Sequence, residues 1–280
     1  MSTNFSLSNE FEFEKKMFVD HTGEIFKCKH KPSNTIYSVR RYSENVFTSF
    51  EAEIDFIREK AILFDITKRN YKNIPKLYYC FEDNSYRYLL MEYFEGKTLK
   101  ELVEGKNENI EENLIIHILK ETLTILSFLH DECFVIHRNI KPSNIIIDKN
   151  NNIKLIGFHL AAYLKNAKRV LVTGKSPKGS KDYAAPEILF WNSDTLDYDN
   201  RCDIFSLGYS IYYLMNKELP TQTKIMNGKV VRTDNQLKNN NYSPWLIQFV
   251  QSLYSNDVNK RPTASDALKI LENNLGGGHH

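Results

Sequence analysis

The sequence predicts an α+β fold in two parts, a strand-rich first third followed by a helix-rich remainder. The stretches EIFKCKHK and TIYSVRRY trade apolar and polar residues with period two, as half-buried strands do. Residues 47–66 and 111–131 instead space their apolar residues as amphipathic helices. A length of 280 residues is large for one core and small for two independent domains, which suits one large domain or two lobes sharing a cleft.

The two alternating stretches make a hairpin from Glu24 to Tyr42, with KPSN supplying turn residues between them. In the helix at 47–66 an apolar stripe runs Phe50, Ile54, Ile57, Ala61 and Phe64, with Leu63 beside it. IPKLYYCF (74–81) and YRYLLMEYF (86–94) are the next strands, joined by the turn-like EDNS. The helix at 111–131 carries Ile115, Ile116, Ile118, Leu119, Leu123, Ile125 and Leu126 on or near one broad face. Short apolar runs in FVIHRNIKPSNIIID and NIKLIGF are separated by the turn KNN. From about residue 187 onward the pattern is mostly helical, clearest in DIFSLGYSIYYLM and SPWLIQFVQSLY. The tail after Leu275, GGGHH, reads as a linker with a tag remnant.

Hydrophobic content of 41% and charged content of 26% belong to an ordinary globular protein. A net charge of +2 calls for neither nucleic acid nor an anionic membrane as partner. No apolar run has the length of a membrane span, and MSTNFSLSNEFEFEKK lacks the features of a secretory signal, so a cytoplasmic or nuclear location is expected. Cys28, Cys80, Cys133 and Cys202 lie far apart with no C-x-x-C pair, which points to reduced and mostly buried thiols rather than zinc ligands or disulfides.

Residues 137–144, HRNIKPSN, resemble the catalytic loop H-R-D-L-x-x-x-N of protein kinases. KLIGFHLA resembles the strand leading into that family's D-F-G motif, read here as Gly157-Phe158-His159, and GSKDYAAPE (179–187) resembles the segment ending in A-P-E. MEYFEGKTL, DIFSLG and NKRPTASDAL resemble the hinge, the central helix and the start of the closing helix of the large lobe. The order and spacing are those of the family over about residues 17 to 272. The resemblance implies a two-lobed protein-kinase-like fold: a small β-rich N-lobe with one major helix (1–94), a larger helical C-lobe (95–275), and the tail at 276–280.

Several of the family's working positions hold other residues. The glycine-rich loop matches Phe18-Val19-Asp20-His21-Thr22-Gly23-Glu24-Ile25, where only Gly23 remains, and Asp20 adds negative charge. The strand lysine falls on Arg40, which keeps the positive charge and is expected to pair with Glu59 of the helix; Arg41 should point to the other strand face. Asn139 replaces the catalytic aspartate with a neutral amide that cannot act as a base. Gly157 removes a magnesium-binding carboxylate, although Lys141 and Asn144 match the family. His159, next in line, is expected to be a hydrogen-bonded structural residue rather than a metal ligand. Asp148 should face a turn and cannot substitute for either aspartate.

Other positions are kept. Phe158, His137, Leu63, Leu77 and Asp203 match residues that stack or anchor the family's spine, Glu187 and Arg261 match a buried ion pair, and Tyr183 and Pro186 also fit. Ile25, Ser38, Met91, Glu92, Phe94 and Ile146 match adenine-pocket or gatekeeper positions. Together these imply a pseudokinase that is not an enzyme, binds no metal, and works as a scaffold or allosteric regulator of a protein partner, such as an active kinase. The alternative is a nucleotide-binding switch or a transferase of atypical chemistry that retains weak, metal-independent ATP binding. Lys165, Lys168, Arg169, Lys175, Lys178 and Lys181 form a basic strip, read as a solvated loop or as a docking strip for an acidic partner. Ser176 and Ser180 lie within it as candidate phosphorylation sites.

Overall fold

The computed structural model of the chain describes residues 10–19, 23–43, 48, 50–83, 86–105, 109–164, 170–173, 181–189, 195–219, 223–226, 229–232 and 241–276. The chain forms two compact units, Met1–Glu95 and Gly96–His280. The first is built on a sheet and the second mainly on helices, the α+β class expected.

In the first unit β1 (Phe11–Val19), β2 (Glu24–His30), β3 (Ile36–Ser43), β4 (Leu77–Glu82) and β5 (Tyr86–Glu92) make one antiparallel sheet in the order β1-β2-β3-β5-β4. The hairpin of β2 and β3 pairs Glu24 with Arg41 through to Lys29 with Ile36. Its period-two pattern sends Phe26, Cys28 and Val39 into a core with Phe11, Tyr88 and Leu90. Strand β1 is an addition to the expected elements: it pairs with β2 through two register shifts, at Phe13/Lys15 and Lys16/Phe18. Its FEFEKK start alternates as well, so the signal was present in the sequence.

Helix α1 (Phe50–Lys68) joins β3 to β4. It buries Phe56, Glu59, Ile62, Leu63 and Ile66, whereas Phe50, Ile54, Ile57 and Phe64 of the predicted stripe are exposed. The helix is apolar on two faces, so periodicity alone does not say which turns inward. Glu59 settles the rotation, because a carboxylate enters a core only where a partner waits for it. Thr67 ties the helix to the sheet, donating to the Leu63 carbonyl and accepting the Leu77 N–H, at 2.7 and 2.8 Å.

The second unit opens with β6 (Lys97–Thr98) and α2 (Leu99–Glu104), whose start is closed by a capping box between Thr98 and Glu101. Helix α3 (Glu112–Ser127) follows and runs on into a π turn at Phe128–Glu132. It buries Ile115, Ile118, Leu119, Leu123, Ile125 and Leu126 of its expected face, with Ile116 at the edge. Next come β7 (Val135–Ile136), β8 (Ile145–Ile147), β9 (Ile153–Leu155) and β10 (Ala162–Tyr163); β6, β8 and β9 form one small sheet, and β10 pairs with β7. The remaining helices are α4 (Pro186–Leu189), α5 (Arg201–Asn216), α6 (Pro244–Leu253) and α7 (Ala264–Gly276). Helix α5 is buried along almost its whole length, which suits its continuous apolar sequence.

Two features depart from the mostly helical reading after residue 187. Strand β11 (Val170–Thr173) pairs with β12 (Thr195–Tyr198), and β13 (Thr223–Met226) with β14 (Lys229–Arg232). VLVT, TKIM and KVVR are rich in β-branched residues, which favour strands at this short length. The thiols also differ from expectation: Cys28 and Cys202 are buried, but Cys80 is exposed and Cys133 half-buried. No helix among the described residues is long and apolar enough to cross a membrane.

Candidate functional site

Residues 137–144 run from β7 into a single 3-10 turn at Pro142–Asn144 and then into β8. The loop is hung from Asp203 in α5, whose carboxylate accepts the backbone N–H of His137 and of Arg138, each at 2.8 Å. His130 donates Nε2–H to the same carboxylate at 3.0 Å. Burial alone would raise the Asp203 carboxyl, but the hydrogen bond from His130 and the imidazoles around it bring it below the usual range. Arg138 sits at φ 61, a strained conformation for a long side chain. Its guanidinium repays the strain by bonding the Leu160 carbonyl at 2.5 Å and the Tyr198 hydroxyl at 3.0 Å.

His137 is fully buried, with its ring edge-on to Phe158 at 4.7 Å. It donates Nε2–H to the Ile156 carbonyl at 3.0 Å and accepts the Asn139 N–H on Nδ1 at 3.2 Å. One donor and one acceptor are the requirement of neutral imidazole. Burial pushes its pKa down to about 4, which agrees with that geometry.

Asn139 and Asn144 are both buried. The Asn144 side chain donates to the Asn139 carbonyl at 2.8 Å, and the Asn144 carbonyl accepts the Ile156 N–H at 2.9 Å. Asn139 Nδ2 lies 3.5 Å from His159 Nε2. Gly157 adopts φ +87, and a Cβ placed there would stand 2.8 to 2.9 Å from the Asn144 side-chain amide. Asn144 therefore occupies the space into which a residue at 157 would project its side chain. Gly157 supplies no carboxylate here, and one amide oxygen by itself is not the hard, charged ligand set magnesium prefers. Among the described residues no three His, Cys, Asp or Glu side chains gather as a metal-binding group. Asp148 instead closes the β8–β9 turn, accepting the N–H of Asn150 and Asn152, each at 2.8 Å. The Asn152 side chain bonds it too and leads the lowering of its carboxyl pKa.

In the first unit Arg40 and Glu59 are buried, with Arg40 Nε 3.5 Å from Glu59 Oε2. Tyr42 completes the group: its hydroxyl donates to the same Glu59 oxygen, and its ring lies 4.7 Å from the Arg40 guanidinium. Sequence reasoning named Arg40 and Glu59 but missed Tyr42, two residues on along the same strand face, a spacing that could have found it. Arg41 lies on the opposite face, bonded to Glu24 and stacked between Phe26 and Tyr86. The one glycine kept near the strand turn has a local purpose, since a Cβ at Gly23 would meet the Arg41 carbonyl oxygen at 2.2 Å. Asp20, His21 and Thr22 fall outside the described residues.

Ile25 stands opposite Arg40 in the β2–β3 register, and Ser38 opposite Met91 in the β3–β5 register. Glu92 accepts the Lys76 N–H at 3.3 Å, and Phe94 is half-buried just past β5. Ile146, half-buried in β8, belongs to the second unit. Leu63 and Leu77 are buried in the first unit, Phe158 in the second. The Glu187–Arg261 pair is bidentate at 2.5 and 2.7 Å, and Arg261 also bonds the Ser255 carbonyl and lies over the Phe205 ring. Pro186 is buried at the start of α4, while Tyr183 is half-buried, its hydroxyl pKa raised by that burial. Of the basic strip, Lys181 is described and exposed. Lys165, Lys168, Arg169, Lys175 and Lys178 lie outside the described residues, as do Ser176 and Ser180.

A family model of the protein kinase domain matches residues 11–271, and the chain belongs to the protein kinase family. It is 31% identical over 265 residues to the serine/threonine-protein kinase dst2 of Dictyostelium discoideum, covering 92% of this chain and 22% of that protein. It is 32% identical to the human Citron Rho-interacting kinase over 83% of this chain and 11% of that one. With the yeast (Saccharomyces cerevisiae) serine/threonine-protein kinase CHK1 the identity is 28%, over 75% of this chain and 41% of the other. The chain thus spans less than half the length of each of these relatives. These findings overturn the expectation that the chain is not an enzyme. Its relatives over most of its length are named as kinases, and nothing in the comparisons marks catalytic inactivity. Asn139 and Gly157 change two residue types, whereas phosphoryl transfer rests on positioning and electrostatics spread over many groups.

Proposed function

We propose that this kinase-family chain acts through a protein partner, as a scaffold or allosteric regulator of a signalling enzyme such as another kinase. The observation that carries this reading is a contrast within one loop. Asp203 holds the backbone at His137 and Arg138 as a charge-assisted anchor, while further along the loop the neutral Asn144 side chain donates to the Asn139 backbone carbonyl. A loop whose backbone is held this firmly suits a module that works by what it binds. The test is to capture partners with the purified chain and measure the partner's activity with and without it. A changed partner rate supports the reading. Labelled phosphate passed from ATP to that partner by the chain, lost in Asn144→Ala, with no change in the partner's own rate, overturns it.

A second reading is a nucleotide-binding switch or a transferase of atypical chemistry. It is favoured by the kinase relatives and by the cationic group kept at Arg40, with Ile25, Ser38, Met91, Glu92, Phe94 and Ile146 as the residues offered to adenine. A melting-temperature rise in millimolar ATP, equal with and without magnesium or manganese and abolished in Arg40→Ala, supports it. No rise under any of these conditions counts against it.

A further inference from the structure

Helix α1 buries one apolar face and shows another to solvent. Phe50, Ile54, Ile57 and Phe64 keep 79, 40, 49 and 52% of their surface exposed, and half-buried Ala61 lies in line with them. Their spacing alternates four and three residues through two heptads, the repeat with which two helices pack along a common seam. Isolated exposed apolar residues are ordinary, but a continuous row of them is the mark of an interaction surface.

The charges beside the row say what covers it. Glu53 and Lys60 flank it on one side, Arg58 and Asp65 on the other. We propose that this face docks a second copy of the chain, the two α1 helices lying parallel and in register about a two-fold axis. Glu53 then faces the second copy's Arg58, and Lys60 faces the second copy's Asp65. Because the axis repeats each pair, four opposite-charge contacts frame the seam. Phe50, Ile54, Ile57, Ala61 and Phe64 each meet their own counterpart. Lys68, next in the same spacing, lies over the Phe64 ring at 4.2 Å and meets its own counterpart at the end of the row, a single like-charge contact against the four opposite-charge ones.

The other arrangements are poorer. The antiparallel register that covers Phe64 brings Lys60 against Lys60 and Arg58 against Arg58. The antiparallel register that avoids those clashes leaves Phe64 uncovered. Exposed ion pairs are individually weak, so the charges choose partner and register while the apolar row supplies the affinity. Within one copy, Glu53 lies 3.5 Å from Arg87 and Arg58 bonds Asp55 at 2.5 Å, and both side chains remain partly exposed. The inference rests on α1 alone and is independent of the regulator reading.

Sedimentation of the full chain over a concentration series tests it. The expected result is a monomer–dimer equilibrium, weakened at least about tenfold by Ile57→Glu, with the same melting temperature for variant and natural chain when both are diluted to monomers, since Ile57 faces solvent. Glu53→Lys and Arg58→Glu should each be monomeric where the natural chain is dimeric, because each homodimer sets like charges together. Mixed one to one, they should recover a heterodimer. A chain that stays monomeric up to about 100 µM overturns the proposal. So does a dimer indifferent to the single charge reversals, a mixture that fails to associate, or an Ile57→Glu variant that melts like a core mutant.

Discussion

Asp203 and Asn144 hold the two ends of the same loop by opposite means. At the first end a fully buried carboxylate gathers two backbone N–H groups and one imidazole, so a charge is taken out of water and compensated on every side. At the second end a neutral amide bonds a neutral carbonyl and fills the space beside Gly157. The first arrangement is costly to break because an uncompensated group would be left behind; the second is cheap and adaptable. Anchoring and chemistry are therefore separable within a few residues of chain.

The largest expected effect comes from breaking the anchor. Asp203→Ala strands the N–H groups of His137 and Arg138 in the core and should remove about 3–5 kcal/mol, read from denaturant unfolding. Acid should strike the same region next. His137 has its pKa depressed to about 4 by burial, while the unfolded chain takes up the proton near the ordinary histidine value of about 6.5. Its contribution is complete above that value and is lost as pH falls towards 4, roughly 3 kcal/mol in all. A melting temperature that does not drop between pH 6.5 and 4, or that drops equally in His137→Gln, contradicts the assignment.

Arg261→Ala should cost somewhat less, about 2–3 kcal/mol, since it leaves Glu187 without its bidentate partner but near solvent. At the neutral end, Gly157→Ala combines a left-handed backbone with a close approach to Asn144 and should lose about 2 kcal/mol. Asn144→Ala removes one amide hydrogen bond and should lose about 1 kcal/mol. The double variant sharpens the contrast: with the Asn144 side chain gone, only the backbone strain at 157 remains. Its loss should fall short of the sum of the singles by about 1 kcal/mol. Strict additivity would mean that Asn144 does not fill the space beside Gly157.

Much of the fold was legible along the chain. The β2–β3 hairpin follows from strict alternation around KPSN, and the inner face of α3 from a long 3.6-residue repeat. The identity of the residues at 40, 59, 139, 144, 157, 187 and 261 is one-dimensional information, and the family's motif order was enough to point to them. Their consequence was not. From Asn139 and Gly157 a lack of enzyme activity was inferred, and the named kinases among the relatives correct that step. Residue type at two positions is a weaker guide to activity than to electrostatics.

What the sequence by itself determined are the features set by neighbours three, four or two residues apart: strands, helices, turns and the α+β division. Tertiary structure decided which face of α1 turned inward, because Phe50-Ile54-Ile57-Phe64 and Phe56-Ile62-Leu63-Ile66 are both apolar. The choice fell to Glu59, whose charge must reach Arg40 and Tyr42. It also decided that Asn144 lies over Gly157, and that Cys80 is exposed while Cys28 is buried. The physical reason is common to all three. Periodicity is a local property, but the cost of burying a charge, an amide or a thiol depends on partners that only the folded chain brings near.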